Sequence, residues 1–198
     1  MTKSAYDAFD DPYCYPETQV LRNRADLHDP DDLEAFELEM TSLRANEPLP
    51  SGDFDPSHYS AVHHHIFQDV YEWAGQYRTV RTAKDGNAFC YPEYIESSMK
   101  RQFESMSEIL SSDSQSQFLD RVTDFLAELN AIHPFREGNG RAQLTFLDMI
   151  ACEAGFPFDF RRIERETFMP AMIESFAGNT TKLRKELSLL QMTQESVS

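Results

Sequence analysis

The sequence predicts an all-α protein carrying one β-hairpin. Apolar residues recur at helical spacing through most of the chain from Leu33 to Leu190. Asp29-Pro30 and Asp55-Pro56 each read as a helix N-cap followed by a first-turn proline. Only Arg78 to Cys90 breaks the pattern, with two short β-prone runs around Lys84-Asp85-Gly86, a hairpin-turn signal. At 198 residues, with no internal repeat, the chain reads as a single domain over 1–198, its core at about 13–176 and a terminal helix and tail at 180–198.

Residues 1–24 read as an extended lead-in packed by its aromatic residues, because Tyr15-Pro16 disfavours helix there. The helix capped by Asp29 places Leu33, Phe36, Met40 and Leu43 at helical spacing. Its many acids, Glu34, Glu37 and Glu39 among them, read as a solvated face. The helix capped by Asp55 lines up Tyr59, Val62, Ile66, Phe67, Val70 and Trp73, and Gly75 is expected to end it. The run His63-His64-His65 spreads over more than half the helix circumference, so it cannot share one metal and reads as packing or surface.

The hairpin strands are expected at Thr79-Val80-Arg81-Thr82 and Asn87-Ala88-Phe89-Cys90. An isolated hairpin is marginally stable, so it is expected to lie over something. Pro92 opens a helix with Ile95, Met99, Phe103, Met106 and Leu110, followed by a polar loop at Ser111 to Ser116. The next helix, from Phe118 to Leu129, delivers His133 at its end. A helix starting near Arg141 runs to Gly155, another begins near Arg162 with a break or kink at Pro170, and Leu183, Leu187 and Leu190 mark the last. The tail after Met192 is expected to fray.

Composition narrows the function. The formal net charge of −16 at pH 7 repels nucleic-acid backbones and anionic membranes. Any nucleotide site must therefore carry its own positive field. Cys14, Cys90 and Cys152 form neither a CxxC motif nor a disulfide framework. With no apolar leader in Met1 to Asp11 and no run of ~18 apolar residues, the chain reads as cytoplasmic.

The chemistry concentrates in His133-Pro134-Phe135-Arg136-Glu137-Gly138-Asn139-Gly140-Arg141. Gly138 and Gly140 allow positive φ and a close backbone approach to a ligand. Such a loop feeding a helix N-terminus makes a concave anion site, to which Gly138, Asn139 and Gly140 contribute donors. Glu137 suits Mg²⁺, Arg141 offers a fork of donors to phosphate, and His133 can accept a proton near neutral pH. Arg136 reads as surface. These are the parts of a phosphoryl- or nucleotidyl-transfer site.

The same stretch resembles the signature of the Fic family, His-x-Phe-x-(Asp/Glu)-Gly-Asn-Gly-Arg-x-x-Arg. Seven of its eight specified positions match, and the eighth, residue 144, is Leu144. The Trp73-Ala74-Gly75 ending is also similar to that of the family's helix before its flap. The resemblance implies the Fic fold and adenylyl transfer, in which AMP passes from ATP to a Ser, Thr or Tyr hydroxyl of a protein. His133 would be the base, Glu137 the Mg²⁺ ligand, and Gly138, Asn139, Gly140 and Arg141 the phosphate cradle. The hairpin, through Thr79, Val80, Arg81, Asn87, Ala88 and Phe89, would be a flap that registers a target segment by strand addition.

The short chain looks like stand-alone bacterial Fic toxins, which a small antitoxin holds off with a (Ser/Thr)-x-x-x-Glu-(Gly/Asn) helix. That inhibitory pattern is not found in this sequence. Relatives modify the ATPase-bearing subunits of type II topoisomerases. Two alternatives remain open: transfer of UMP or phosphocholine, and a degenerate module that only binds nucleotide or a partner, which Leu144 would suit.

Overall fold

The computed structural model describes residues 11–84 and 86–192; the first ten residues of the expected lead-in, Asp85 and the tail after Met192 lie outside it. The protein is mostly helical with one two-stranded antiparallel hairpin, as the sequence predicts. It divides into two compact units. The first holds the described residues up to Glu96 together with His133–Ala142, and the second holds Ser97–Ile132 and the described residues from Gln143 onward.

In the first unit the lead-in closes on itself through a bridge between Cys14 and Leu21. It docks by Tyr13, whose ring meets Trp73 edge-on at 5.6 Å and whose hydroxyl accepts the Thr79 N–H at 3.1 Å. Helix α1 (Pro30–Ala45) starts where the Asp29 carboxylate accepts the N–H groups of Asp31 and Asp32. Its inward face differs from the expected stripe. Leu33 and Thr41 are buried, whereas Leu43 is exposed. The Thr41 hydroxyl satisfies itself on the Glu37 carbonyl at 2.8 Å, which lets a polar residue hold a buried position.

Helix α2 (Pro56–Phe67) is capped by the Asp55 carboxylate on the His58 N–H at 2.7 Å. It ends eight residues before the Gly75 stop that the spacing suggests. Tight turns follow, with the Val70 N–H bonded to the Phe67 carbonyl, the Val70 carbonyl taken by the Arg24 N–H and the Gly75 N–H caught by a His63 ring nitrogen. Outside partners thus replace the helical ladder, while Val70, Tyr71 and Ala74 stay buried. The three consecutive histidines separate as expected: His63 is buried, His64 exposed and His65 between.

The hairpin is shorter than the β-prone runs. Strands β1 (Ala83–Lys84) and β2 (Asn87–Ala88) pair antiparallel in the register Ala83–Ala88 and Lys84–Asn87. Thr79, Val80 and Arg81 precede the first strand instead of forming it. Gly86 sits at φ +82, which only glycine adopts without strain in this tight connection.

Helix α3 (Pro92–Phe103) begins in the first unit and continues into the second. The expected single helix from Pro92 to Leu110 is two, because the chain turns at Glu104–Ser105 before α4 (Met106–Leu110). In the second unit α5 (Gln115–Ile132) is central, packing on α4 and on α7 (Arg165–Phe176) and α8 (Thr181–Leu190). Its buried stripe holds Phe118, Val122, Phe125, Leu126 and Leu129. Helix α6 (Asn139–Glu153) adds Phe146, which meets Phe103 at 5.8 Å. Pro170 does not break α7. It lies in the second turn, so only the Glu166 carbonyl loses its helical donor.

Candidate active site

Within the first unit the nine-residue stretch forms a loop and the first turn of α6. His133 follows the last residue of α5 at φ +49, a left-handed conformation that costs a side-chain-bearing residue roughly 1–2 kcal/mol. Its imidazole is buried and stacks on the Phe89 ring, with centroids 3.8 Å apart and planes 9° apart. Asn139 closes the loop with one amide: its side-chain oxygen accepts the Phe135 N–H at 3.0 Å, and its nitrogen donates to the Phe135 carbonyl at 2.8 Å. The side chain of Asn139 therefore braces the loop, and its amide is spent on Phe135.

The two glycines have different reasons. Gly138 has φ +78, and a Cβ there would lie 2.3 Å from the Phe67 ring. Gly140, contrary to the expectation of positive φ, is an ordinary helical residue with open space where its Cβ would be. A side chain would project into that space, beside the helix N-terminus.

His63 supports the loop from beneath. Its ring stacks on Phe135 at 3.8 Å and Phe67 at 4.7 Å. Because Nδ1 accepts the Gly75 N–H at 2.9 Å, Nε2 carries the proton and donates to the Glu137 carbonyl at 3.0 Å. Burial pushes this histidine down to about 3. Between pH 6.5 and about 3 the unfolded chain binds a proton that the folded chain refuses, so stability falls as pH falls through that window. His63 alone should contribute a slope on the order of 1.4 kcal/mol per pH unit. Urea unfolding at several pH values should show that slope in wild type and its loss in His63→Asn; equal slopes would assign the acid sensitivity elsewhere.

Charges cluster above this base. Arg136 is not a surface residue: it is buried and paired with the buried Asp11, Nε to Oδ2 at 2.6 Å. The Glu137 carboxylate accepts the Gly138 N–H at 2.9 Å. Burial raises its pKa above the usual carboxylate range, and the charge of Glu37 adds to that, opposed by the Gly138 N–H, Arg141 and Arg136. Arg141 lies over the Phe67 ring at 4.6 Å, touches the Thr41 hydroxyl at 3.5 Å and is ion-paired with Glu37. The other Glu37 oxygen accepts the Tyr71 hydroxyl at 2.5 Å. The acid run of α1 is therefore not wholly a solvated face, because Glu37 turns inward.

The structure thus brings His133, Glu137, Gly138, Asn139, Gly140 and Arg141 together in one loop and helix start. Of the hairpin residues, Phe89 reaches His133; Thr79, Val80 and Arg81 lead into β1, and Asn87 and Ala88 form β2. Leu144 lies one turn beyond Arg141 on α6 and is half-buried. Reading the sequence missed Glu37, His63, Tyr71 and Arg78, each joined to the site by contacts 34 or more residues away in sequence.

The Fic/DOC family model matches residues 53–151, half of the chain. A probable protein adenylyltransferase of Sinorhizobium fredii, y4lH, is 50% identical over 185 residues, covering 92% of this chain and 96% of that protein. The chain belongs to the Fic/DOC family. Protein adenylyltransferase VbhT of Bartonella schoenbuchensis is 38% identical over 181 residues, covering 88% of this chain and 38% of VbhT. Among solved structures, the BepC protein of Bartonella tribocorum with bound AMPPNP matches this Fic chain with a TM-score of 0.82 at 26% identity, covering 92% and 97% of the two chains. An N-terminal Fic domain from Bartonella quintana with bound ADP gives 0.83 at 26%, covering 93% and 96%. Among the described residues of this Fic protein, no helix is long and apolar enough to cross a membrane.

Proposed function

We propose that this chain is a protein adenylyltransferase that moves AMP from ATP to a Ser, Thr or Tyr hydroxyl of another protein. The observation that carries the reading is the fixed placement of His133 beside the N-terminus of α6, with Arg141 on the first turn of the same helix. Names of relatives that are protein adenylyltransferases, and neighbours solved with AMPPNP and ADP, support it. The target hydroxyl oxygen attacks the α-phosphorus while its proton passes to the His133 imidazole. The bond from that phosphorus to its bridging oxygen breaks, and pyrophosphate leaves toward Arg141.

Glu137 fits Mg²⁺ because its half-buried carboxyl has its charged form disfavoured by desolvation, which a cation would offset. No group of three or more carboxylate, histidine or cysteine ligands occurs among the described residues. Glu137 would then share the ion with the nucleotide phosphates, whose developing charge it would neutralise. The hairpin would hold a target segment by strand addition to its two-stranded sheet.

Label from α-labelled ATP should enter a protein band when the purified chain is mixed with bacterial lysate, and mass spectrometry should find added AMP. UMP or phosphocholine as the added group would redirect the reading to those transfers, and no added mass would leave a binding module. A labelled topoisomerase ATPase subunit is the expected target by family resemblance. By the same family resemblance, the expected regulation is in trans, by a small antitoxin presenting a (Ser/Thr)-x-x-x-Glu-(Gly/Asn) helix.

Leu144 stands where the family motif has its second arginine. One charge-assisted phosphate contact is worth about 1.5–3 kcal/mol, roughly ten- to a hundredfold in affinity. Leu144→Arg should raise ATP affinity within that range and sharpen the preference for ATP over ADP. Calorimetric titration of both nucleotides decides this, and unchanged affinities and preference would mean residue 144 does not face the phosphates.

A further inference from the structure

Arg78 is among the largest side chains buried in the protein, with 2% of its surface exposed. Burying a guanidinium is tolerated only when its donors are met. Here Nε donates to the His133 carbonyl at 2.8 Å, Nη1 to the Val80 carbonyl at 2.6 Å and Nη2 to the Cys90 carbonyl at 2.6 Å. Its backbone N–H donates to the Pro134 carbonyl at 2.8 Å. Val80 and Cys90 are the two feet of the hairpin, one before β1 and one after β2. One planar fork therefore joins both feet to the peptide unit that follows His133.

We propose that Arg78 is a positioning residue that makes the hairpin and the base His133 a single mechanical piece. The inference rests on the adenylyl-transfer reading for its consequence, but the linkage itself stands on these bonds. His133 is held at φ +49, a conformation that persists only when its surroundings over-determine it. Two constraints come from the hairpin: the Phe89 ring against the imidazole and the Arg78 fork on the carbonyl. Displacing the hairpin feet displaces the fork, and with it the peptide that sets the direction of the imidazole. A target strand seated on the hairpin is thereby registered against the base as well as against the hairpin.

The geometry of the fork decides the variants. Lysine is a point donor on a flexible stem and cannot meet three divergent carbonyls in one plane. Arg78→Lys and Arg78→Gln should each lower label transfer from ATP into lysate protein by at least tenfold. ATP affinity by calorimetry should stay within about twofold, because misplacing a base by an ångström costs rate, not ground-state binding. Transfer within threefold of wild type in folded variants would overturn the proposal. Parallel loss of ATP binding would also overturn it, by revealing a general defect.

Native-state hydrogen exchange on unmutated protein tests the linkage independently of folding in the variants and of any transfer. The Arg78 N–H, bonded to Pro134, and the Phe89 N–H, bonded to Thr82, should open together with protection within about threefold of one another. Hairpin amides that open far more readily than the Arg78 N–H would overturn it. Joint opening in a protein that transfers nothing would leave the linkage standing and sink only the adenylyl-transfer reading.

Discussion

Replacing His133 with asparagine should lower transfer by roughly 10²–10⁴-fold and leave ATP affinity within about threefold of wild type. The expectation rests on the division of labour in the loop. The imidazole is buried against Phe89, whereas under the proposed function Arg141 and the helix N-terminus would hold the phosphates. Asparagine is the informative substitution because it adopts positive φ more readily than alanine does, so the turn at φ +49 survives the change. Label incorporation measures transfer and calorimetry measures binding. Transfer near the wild-type rate would remove His133 from proton abstraction, and loss of nucleotide binding would show that the imidazole shapes the cradle.

Glu137→Gln should abolish the part of ATP affinity that depends on Mg²⁺ and at the same time make the nucleotide-free protein more stable at pH 7. The two effects share a cause. The folded protein raises the pKa of this carboxyl, chiefly by burial. A carboxyl whose folded pKa lies above its unfolded value binds protons more tightly in the folded chain. Its favourable contribution is therefore present at low pH and lost as pH rises through the folded value. At neutral pH each tenfold weakening of the acid on folding costs about 1.4 kcal/mol. Glutamine keeps the shape and the acceptor for the Gly138 N–H, removes the half-buried charge and cannot serve as an anionic metal ligand. Urea unfolding without nucleotide should show the gain. Calorimetry with and without Mg²⁺ should show the loss, and an unchanged metal dependence would defeat the assignment of Glu137.

How much of the fold and site is legible in the sequence depends on the range of each interaction. The caps at Asp29 and Asp55, the hairpin turn and the loop from His133 to Arg141 are local signals, each confined to a few neighbouring residues. All of them are found where the sequence places them. The misreadings involve partners far along the chain. Periodicity carried α2 on to Gly75, yet the turns after Phe67 are held by Arg24 and His63. Charge patterning put Glu37 in a solvated face, yet its partner Arg141 is 104 residues away. Arg136 looked idle until Asp11 was placed beside it, 125 residues distant. The family model begins at residue 53, so neither Asp11 nor Glu37 lies within its span.

The grip of Glu37 on Arg141 gives the proposed phosphate cradle an occupant of its own. The guanidinium does not wait bare for a phosphate; it is already neutralised by a carboxylate that Tyr71 steadies from behind. Under the proposed function, binding of a phosphate at Arg141 would therefore be an exchange of one anion for another. In a chain with a formal charge of −16, this matters for what is kept out as much as for what is let in. A stray chloride or a single inorganic phosphate must dislodge a tethered rival whose effective concentration is high, and it brings few contacts with which to do so. A triphosphate that met the helix N-terminus as well would have the additional contacts to win the exchange. Under the proposed adenylyl transfer the internal ion pair would act as a threshold, selecting ligands by the number of places at which they are held.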